Sequence, residues 1–391
     1  MTKQISRVPV NRRFGGVPII APTERSWENG VTFNAAVTFV QPTPANQTLL
    51  TRLFAGTARH NSESRDGVIA VHYRSRPKSD PGYLITRSYV GLALFTPSLE
   101  LIHRFPEPLV LPDDDKAGPD YLGVEDPRVT RFGETFVMVY CGSGLDEAGA
   151  WRGTTCTAES TDLLHWTKRG PMDLRYRSGA GAFDDTYFDN LRGATGTARH
   201  VNNKDGVLFA GQIDGWHYLL HRPMIGKISD WAIHLARSRS LHGEWTDLGP
   251  ILRGKPRADY VDAWVGAGAV PIDVGGGRFL EIYHSGHRDA DGSRLYTLGA
   301  VLLDFNRLDP QRPASIVAAR LDHFMVPQTK WEIEGPYEDS VGNVLFTCGA
   351  YEMEDEIHML YTGGDTFVMA ATIKKADLLA GLAPVGAEES L

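Results

Sequence analysis

Short alternating runs rich in Val, Ile, Phe and Tyr, paired across Gly or acidic turns, recur along the chain and restrict its fold more than any other feature. The run from Val129 to Tyr140 reads as strand, Gly-Glu turn, strand. The runs Val207 to Leu220, Ala269 to Tyr283 and Val344 to Tyr361 repeat that shape, and each second strand is rich in aromatics or ends in one. A looser copy, Asn34 to Phe54, opens the chain. A second element follows several hairpins: Thr157 to Trp166 resembles Leu235 to Trp245, and Gly91 to Leu101 is a weaker copy. Each of these reads as an inner strand, a polar turn and an outer strand. The one clear helical segment lies around Lys374 to Leu382. Units of roughly four strands, repeated about five times, mark a propeller, whose blades bury their faces only by stacking. The expected fold is all-β: a five-bladed β-propeller with a short C-terminal helix, one domain over residues 1–391, with an N-terminal arm over about residues 1–30. A pair of β-sandwiches is the structural alternative. The polar, Gly-rich stretch at about 175–201 breaks the rhythm and reads as an inserted loop.

Composition removes several function classes. The formal net charge of −8 argues against a nucleic-acid binder, although it leaves room for a local basic pocket. The three cysteines show no CxxC spacing, so a disulfide framework or zinc knuckle is not expected, and they read as small buried hydrophobes. No His, Cys and carboxylate cluster has metal-ligand spacing, so no metal and no cofactor are expected. The opening MTKQISRVPVNRR has no apolar leader, and no apolar run reaches the roughly 20 residues of a membrane span. The cytoplasm is the expected compartment.

In a propeller the inner strands line a central funnel, where polar side chains converge on a small molecule. The sharpest motif is Gly123-Val-Glu-Asp-Pro-Arg-Val129. Glu125, Asp126 and Arg128 crowd together there, and two carboxylates beside an arginine can have their pKa values driven apart for acid–base work. A capped turn with a surface ion pair explains the same residues equally well.

That motif resembles the Glu-Asp-Pro-Arg signature of glycoside hydrolase family 130, the β-mannoside phosphorylases and mannosidases. Further similarities follow in the family's order over roughly residues 15–372. They are Phe33-Asn34-Ala35-Ala36, Asn203-Lys204-Asp205, His221-Arg222-Pro223, Gly266 to Pro271, Glu281-Ile-Tyr-His284, Leu302-Leu-Asp304, Gly342 to Phe346, and Tyr361 to Asp365. The resemblance implies that Asp126 is the proton donor, acting through a sugar hydroxyl, and that Arg169, Lys204 and His221 hold phosphate. It further implies that Arg74 and Asp365 contact sugar at the funnel mouth. Asn34, Glu125, Arg128, Tyr283, His284 and Tyr361 complete the expected substrate site. Tyr121, Trp216, Tyr283 and Tyr361 stand near hairpin ends or turns as candidate sugar platforms, though most propeller aromatics are blade core.

An inverting hydrolase needs a second carboxylate, about 6.5–9.5 Å from the acid, to activate water. A phosphorylase needs only to position phosphate. Glu281 and Asp262 are the candidate bases; the cationic set favours phosphate. The resemblance thus implies an inverting phosphorylase that takes β-mannosides and inorganic phosphate, its co-substrate, to α-mannose 1-phosphate. An inverting β-mannosidase is the near alternative and a non-catalytic sugar-binding propeller the distant one. The expected partner is an oligosaccharide, with neither nucleic acid nor membrane, and assembly into homo-oligomers is compatible with the family. The chain departs from the family at Ala210-Gly211-Gln212, where Pro-Glu-Lys is usual, at Ser285, where Gly is usual, and in the insertion between Arg169 and Lys204.

Overall fold

The computed structural model describes residues 8–55, 57, 66–78, 87–176, 188–189, 200–255, 261–335, 340–386 and 391. Five sheets form the blades of a β-propeller, antiparallel except where Leu174–Tyr176 pairs in parallel with Trp245–Arg253. The first blade runs outward as Val31–Val40, Val68–Arg76, Tyr89–Phe95 and Leu101–Arg104. The second runs as Gly123–Phe132, Thr135–Leu145, Trp151–Ser160 and Thr167–Pro171. The third is Asn203–Leu208, His217–Pro223, Ala232–Ser238 and Trp245–Arg253, and Leu174–Tyr176 and Phe188–Asp189 extend its outer edge. In the fourth, Asp262–Gly266 is followed outward by Arg278–Arg288, Arg294–Asp304 and Val317–Met325. Leu345–Met353, Glu356–Gly363 and Phe367–Lys374 begin the fifth.

Burial follows from stacking. Val68–Arg76 and Thr135–Leu145 are buried on both faces because a blade lies against each, whereas Leu101–Arg104 at the rim is half-exposed. The core is accordingly divided among the blade junctions. One cluster joins Ala36 and Leu92 to Met138 and Tyr140 across the first and second blades. Another joins Val137 and Val139 to Leu208 and Trp245 across the second and third. The third and fourth meet through Val207 and Leu220 against Phe279 and Val301, and the fourth and fifth through Leu280 and Leu298 against Met359 and Met369. Ile69 and Tyr73 against Leu360 and Val368 return the ring to its start.

The N-terminal strand Asn11–Arg12 closes the ring by pairing with Phe367–Lys374, Asn11 opposite Thr372. Arg12 anchors it. Its Nε lies 2.7 Å from the buried carboxylate of Glu332, and Nη2 donates to the Val326 carbonyl at 2.7 Å. Glu332 also accepts from the backbone N–H groups of Gln328 and Thr329.

Several expectations change. The opening hairpin is not Asn34 to Phe54: Val31–Val40 pairs with Val68–Arg76, and the helix Gln47–Phe54 lies between them. Leu49, Leu50, Leu53 and Phe54 recur at helical spacing and are all buried, a pattern short enough to pass for part of a strand pair. The second repeated element is the third and fourth strands of a blade rather than an inner and an outer one, as Trp151–Ser160 and Thr167–Pro171 show. The C-terminal helix is Lys375–Gly381. Most of the insertion at 175–201 lies outside the described residues. Among the described residues no helix is long and apolar enough to cross a membrane.

Arg12→Ala should lower stability by about 3 kcal/mol, because it leaves a buried carboxylate without its cation. Thermal unfolding reads this; an unchanged midpoint would show that the closing strand is not anchored by this pair.

Candidate active site

Each blade opens with its inner strand, and in the first three blades residues near the start of that strand meet in the central funnel. A β-bulge interrupts the ladder there in four blades, between Phe33 and Ala35, Glu125 and Arg128, Lys204 and Val207, and Thr347 and Gly349. At three of the bulges the extra residue is left-handed: Asn34 (φ 45°), Asp126 (φ 53°) and Asp205 (φ 58°). Asn and Asp tolerate this conformation better than other non-glycine residues, and a bulge re-aims a side chain out of the strand's alternation. The backbone therefore delivers three short polar side chains to one place.

Around Asp126 the charges interlock. Arg74 Nη1 lies 2.9 Å from Asp126 Oδ1, and its Nη2 lies 2.8 Å from Glu125 Oε1. Lys204 Nζ reaches Glu125 Oε2 at 2.9 Å and Asp126 Oδ2 at 3.6 Å. Asn34 Nδ2 donates to Asp126 Oδ1 at 2.6 Å, and its own Oδ1 accepts from Thr362. Arg74 also lies over the Phe33 ring, 4.7 Å from its centroid. Next to this group stands a second one. Asp205 Oδ2 pairs with Arg222 Nη1 at 2.9 Å and lies 3.3 Å from His284 Nε2. Gly266 permits this meeting, since a Cβ there would collide with both Asp205 and His284. Arg128 ties the groups to the scaffold by donating to the carbonyls of Asp126, Ala267 and Gly268.

These neighbours set the protonation states. Burial alone would raise the Asp126 pKa, but Arg74, Lys204 and Arg128, with the Asn34 hydrogen bond, outweigh it and hold the carboxyl far below the usual range. Burial is likewise outweighed at Glu125 by Arg74 and Lys204, and at Asp205 by Arg222, His284 and Arg128. Asp365 behaves oppositely. Its burial prevails over the attraction of Arg74, the charge of Asp126 adds to it, and its pKa is raised.

Asn34, Arg74, Glu125, Asp126, Arg128, Lys204, His284 and Asp365 are thus brought together. The other expected residues are not. Arg169 lies exposed on the rim strand Thr167–Pro171, paired with Glu159 at 2.7 Å. His221 faces the opposite side of its strand from Arg222 and is fully buried, with Asn203 at Nδ1 (3.1 Å) and Asp247 at Nε2 (3.2 Å). Neither is placed to touch a phosphate beside Asp126. Glu281 is also fully buried; Oε1 accepts from Gly268 N–H at 2.7 Å, and burial, only partly offset by Gly268 and Arg128, raises its pKa well above the ordinary value. A fully enclosed carboxyl whose Oε1 is already taken by the Gly268 N–H is not placed to activate water, which corrects that expectation. Asp262, across the ladder from Arg288, shares no hydrogen bond or ion pair with the Asp126 group among the described residues. Tyr283 and Tyr361 are blade core, their hydroxyls donating to Asp322 and Glu332, so they offer no face to a sugar. Trp216 is covered by Arg237 and Arg239, and Tyr121 by Arg87.

Asp205 and Arg222 are the site residues that sequence reasoning passed over. A signal for Asp205 exists: Lys204-Asp205-Gly206 repeats the charged–Asp–small pattern of Glu125-Asp126-Pro127. Arg222 is found by register, because it lies opposite Lys204 in the ladder. A set with metal-ligating chemistry also emerges that spacing concealed. His221, His234 and Asp247 bring one ligand atom each within 4.8 Å, and hydrogen bonds already join all three.

Comparison with known proteins points to one family. A family model described as beta-1,4-mannooligosaccharide phosphorylase matches residues 80–382. The chain is 27% identical over 371 residues to a 1,2-beta-oligomannan phosphorylase of Thermoanaerobacter sp. (strain X514), covering 94% of this chain and 98% of that one. Its fold is similar to the beta-1,2-mannobiose phosphorylase of Listeria innocua in complex with beta-1,2-mannobiose (TM-score 0.64, 21% identity, 95% and 98% coverage). It is equally similar to a structure described under the mannoside phosphorylase family's glycoside hydrolases that target beta-1,2 mannosidic linkages in Candida mannan (TM-score 0.65, 22% identity, 96% of each chain).

Asp205→Ala should cost about 3–5 kcal/mol, because it strands Arg222 and Arg128 in the interior. Denaturant titration measures this; a loss under about 1 kcal/mol would mean that these charges are effectively solvated.

Proposed function

The chain belongs to glycoside hydrolase family 130, and from that premise we propose that it is an inverting phosphorylase of β-mannosides, releasing α-mannose 1-phosphate. One observation carries the choice of phosphate over water. The acid Asp126 has a lysine ammonium 3.6 Å away, while Glu281, the carboxylate expected to activate water, is fully enclosed with its Oε1 taken by the Gly268 N–H.

In this reaction a phosphate oxygen attacks the anomeric carbon from the face opposite the leaving group. The glycosidic C–O bond breaks, and the leaving oxygen takes a proton that originates on Asp126 and passes through a sugar hydroxyl. The configuration changes from β to α. Lys204, with Arg222 and His284 beside it, is the proposed phosphate holder; Arg169 and His221 are not part of it. Asn34, Arg74 and Asp365 are the proposed sugar contacts. The low pKa of Asp126 fits this order of events. Its neighbouring cations hold it ionised. A phosphate dianion beside Lys204 offsets that field and raises Asp126 towards a proton-donating range, so acid function follows occupancy by the co-substrate.

The hydrolase reading has one observation of its own. Asp365 is a second carboxylate near Asp126, and its raised pKa suits a base.

Product analysis on β-mannobioses with and without inorganic phosphate decides between them. Mannose 1-phosphate formed only with phosphate is the expected result. Asp126→Asn should lower kcat by roughly 10²–10⁴-fold, and Lys204→Ala should raise the KM for phosphate more than the KM for sugar. Free mannose formed at the same rate without phosphate, and abolished by Asp365→Asn, would establish the hydrolase instead.

A further inference from the structure

Trp151 is the first residue of Trp151–Ser160, where the second blade meets the third, and its side chain is more than a third exposed at 37%. Large aromatics left at a surface are normally mobile or uncovered by accident, but this one is held from several sides. Its Nε1 donates to the buried hydroxyl of Ser143 at 2.9 Å. Lys204 Nζ stands 5.8 Å from its ring centroid. Its edge lies over Gly153, where an added Cβ would come within 2.6 Å of the indole, so only glycine leaves the ring where it is. Gly153 is pinned in turn by Asn202, whose Oδ1 accepts from its N–H at 2.9 Å. The indole N–H is therefore satisfied within the protein, and what the ring presents outward is an apolar face.

Lys204 links this face to the chemistry, since the same Nζ lies 3.6 Å from Asp126. The indole is no farther from the acid than a disaccharide is long. A pyranose carries an apolar C–H face that packs on an aromatic ring, with its hydroxyls free at the edges.

We infer that Trp151 is a stacking platform for a sugar unit of the oligosaccharide on the leaving-group side of the cleaved bond. The side of the bond rests on the phosphorylase reading: if the product is a monosaccharide phosphate, every other unit of the substrate lies beyond the cleavage point.

Calorimetric binding of mannose and of β-mannooligosaccharides of two to four units to the catalytically silenced Asp126→Asn protein tests the platform without turnover. Adding Trp151→Ala should weaken oligosaccharide binding about tenfold and leave mannose unchanged. Trp151→Phe, which keeps a ring, should stay within about threefold, and matching unfolding midpoints show that all variants are folded. Equal affinity for oligosaccharides in the Trp151→Ala protein overturns the platform, as does failure of the Asp126→Asn protein to bind any of them. If the oligosaccharides bind through Trp151 but the wild type makes no mannose 1-phosphate, the phosphorylase reading fails and the platform stands.

Discussion

The pairing of Arg74 with Glu125 and Asp126 is the interaction on which the site depends. Two adjacent carboxylates repel each other, and burial penalises both. A single guanidinium, always charged and planar, meets one oxygen of each at 2.8–2.9 Å and makes the pair tolerable. Its geometry reaches across blades: Arg74 is on the second strand of the first blade, and the carboxylates are on the inner strand of the next. The site is therefore shared between adjacent blades rather than built by one.

Left-handed bulges supply the complementary constraint. In a regular strand, neighbouring side chains point to opposite faces. Glu125 and Asp126 nevertheless both meet Arg74 and Lys204, because the bulge at Asp126 breaks the alternation. The same device at Asn34 and Asp205 gives the first three blades an approximate repeat, with one such polar group in each. Arg128 holds the local backbone by donating to the carbonyls of Asp126, Ala267 and Gly268 and also faces Asp205 at 3.5 Å, and Gly266 keeps the space that the second charge group needs.

The electrostatics then divide the carboxylates by role. Glu125 and Asp205 are held ionised as structural counter-charges. Burial beneath Gly268 raises the pKa of Glu281. Asp126 is held ionised by Arg74, Lys204 and Arg128, with the Lys204 ammonium 3.6 Å from its Oδ2. A carboxylate of this kind can function as an acid only once its surroundings change. That ties its chemistry to occupancy rather than to a fixed pKa.

Sequence alone determined the all-β class, the blade repeat and the C-terminal helix, because hydrophobic alternation and turn chemistry are local properties. It also located Asp126, Glu125, Arg74, Lys204 and Asn34, since short motifs carry them. The helix Gln47–Phe54 escaped because its period spans only two turns. Arg169, His221, Glu281, Tyr283 and Tyr361 were misplaced for a common reason. Each has the right chemistry at nearly the right point in the chain, but whether a strand residue faces the funnel, the core or the rim depends on register and blade stacking. A one-residue step decides between His221, sealed against Asp247, and Arg222, beside Asp205. Trp151 became visible only when the third blade brought Lys204 against it. Those choices belong to tertiary structure, because they are made by contacts between residues that the sequence keeps far apart.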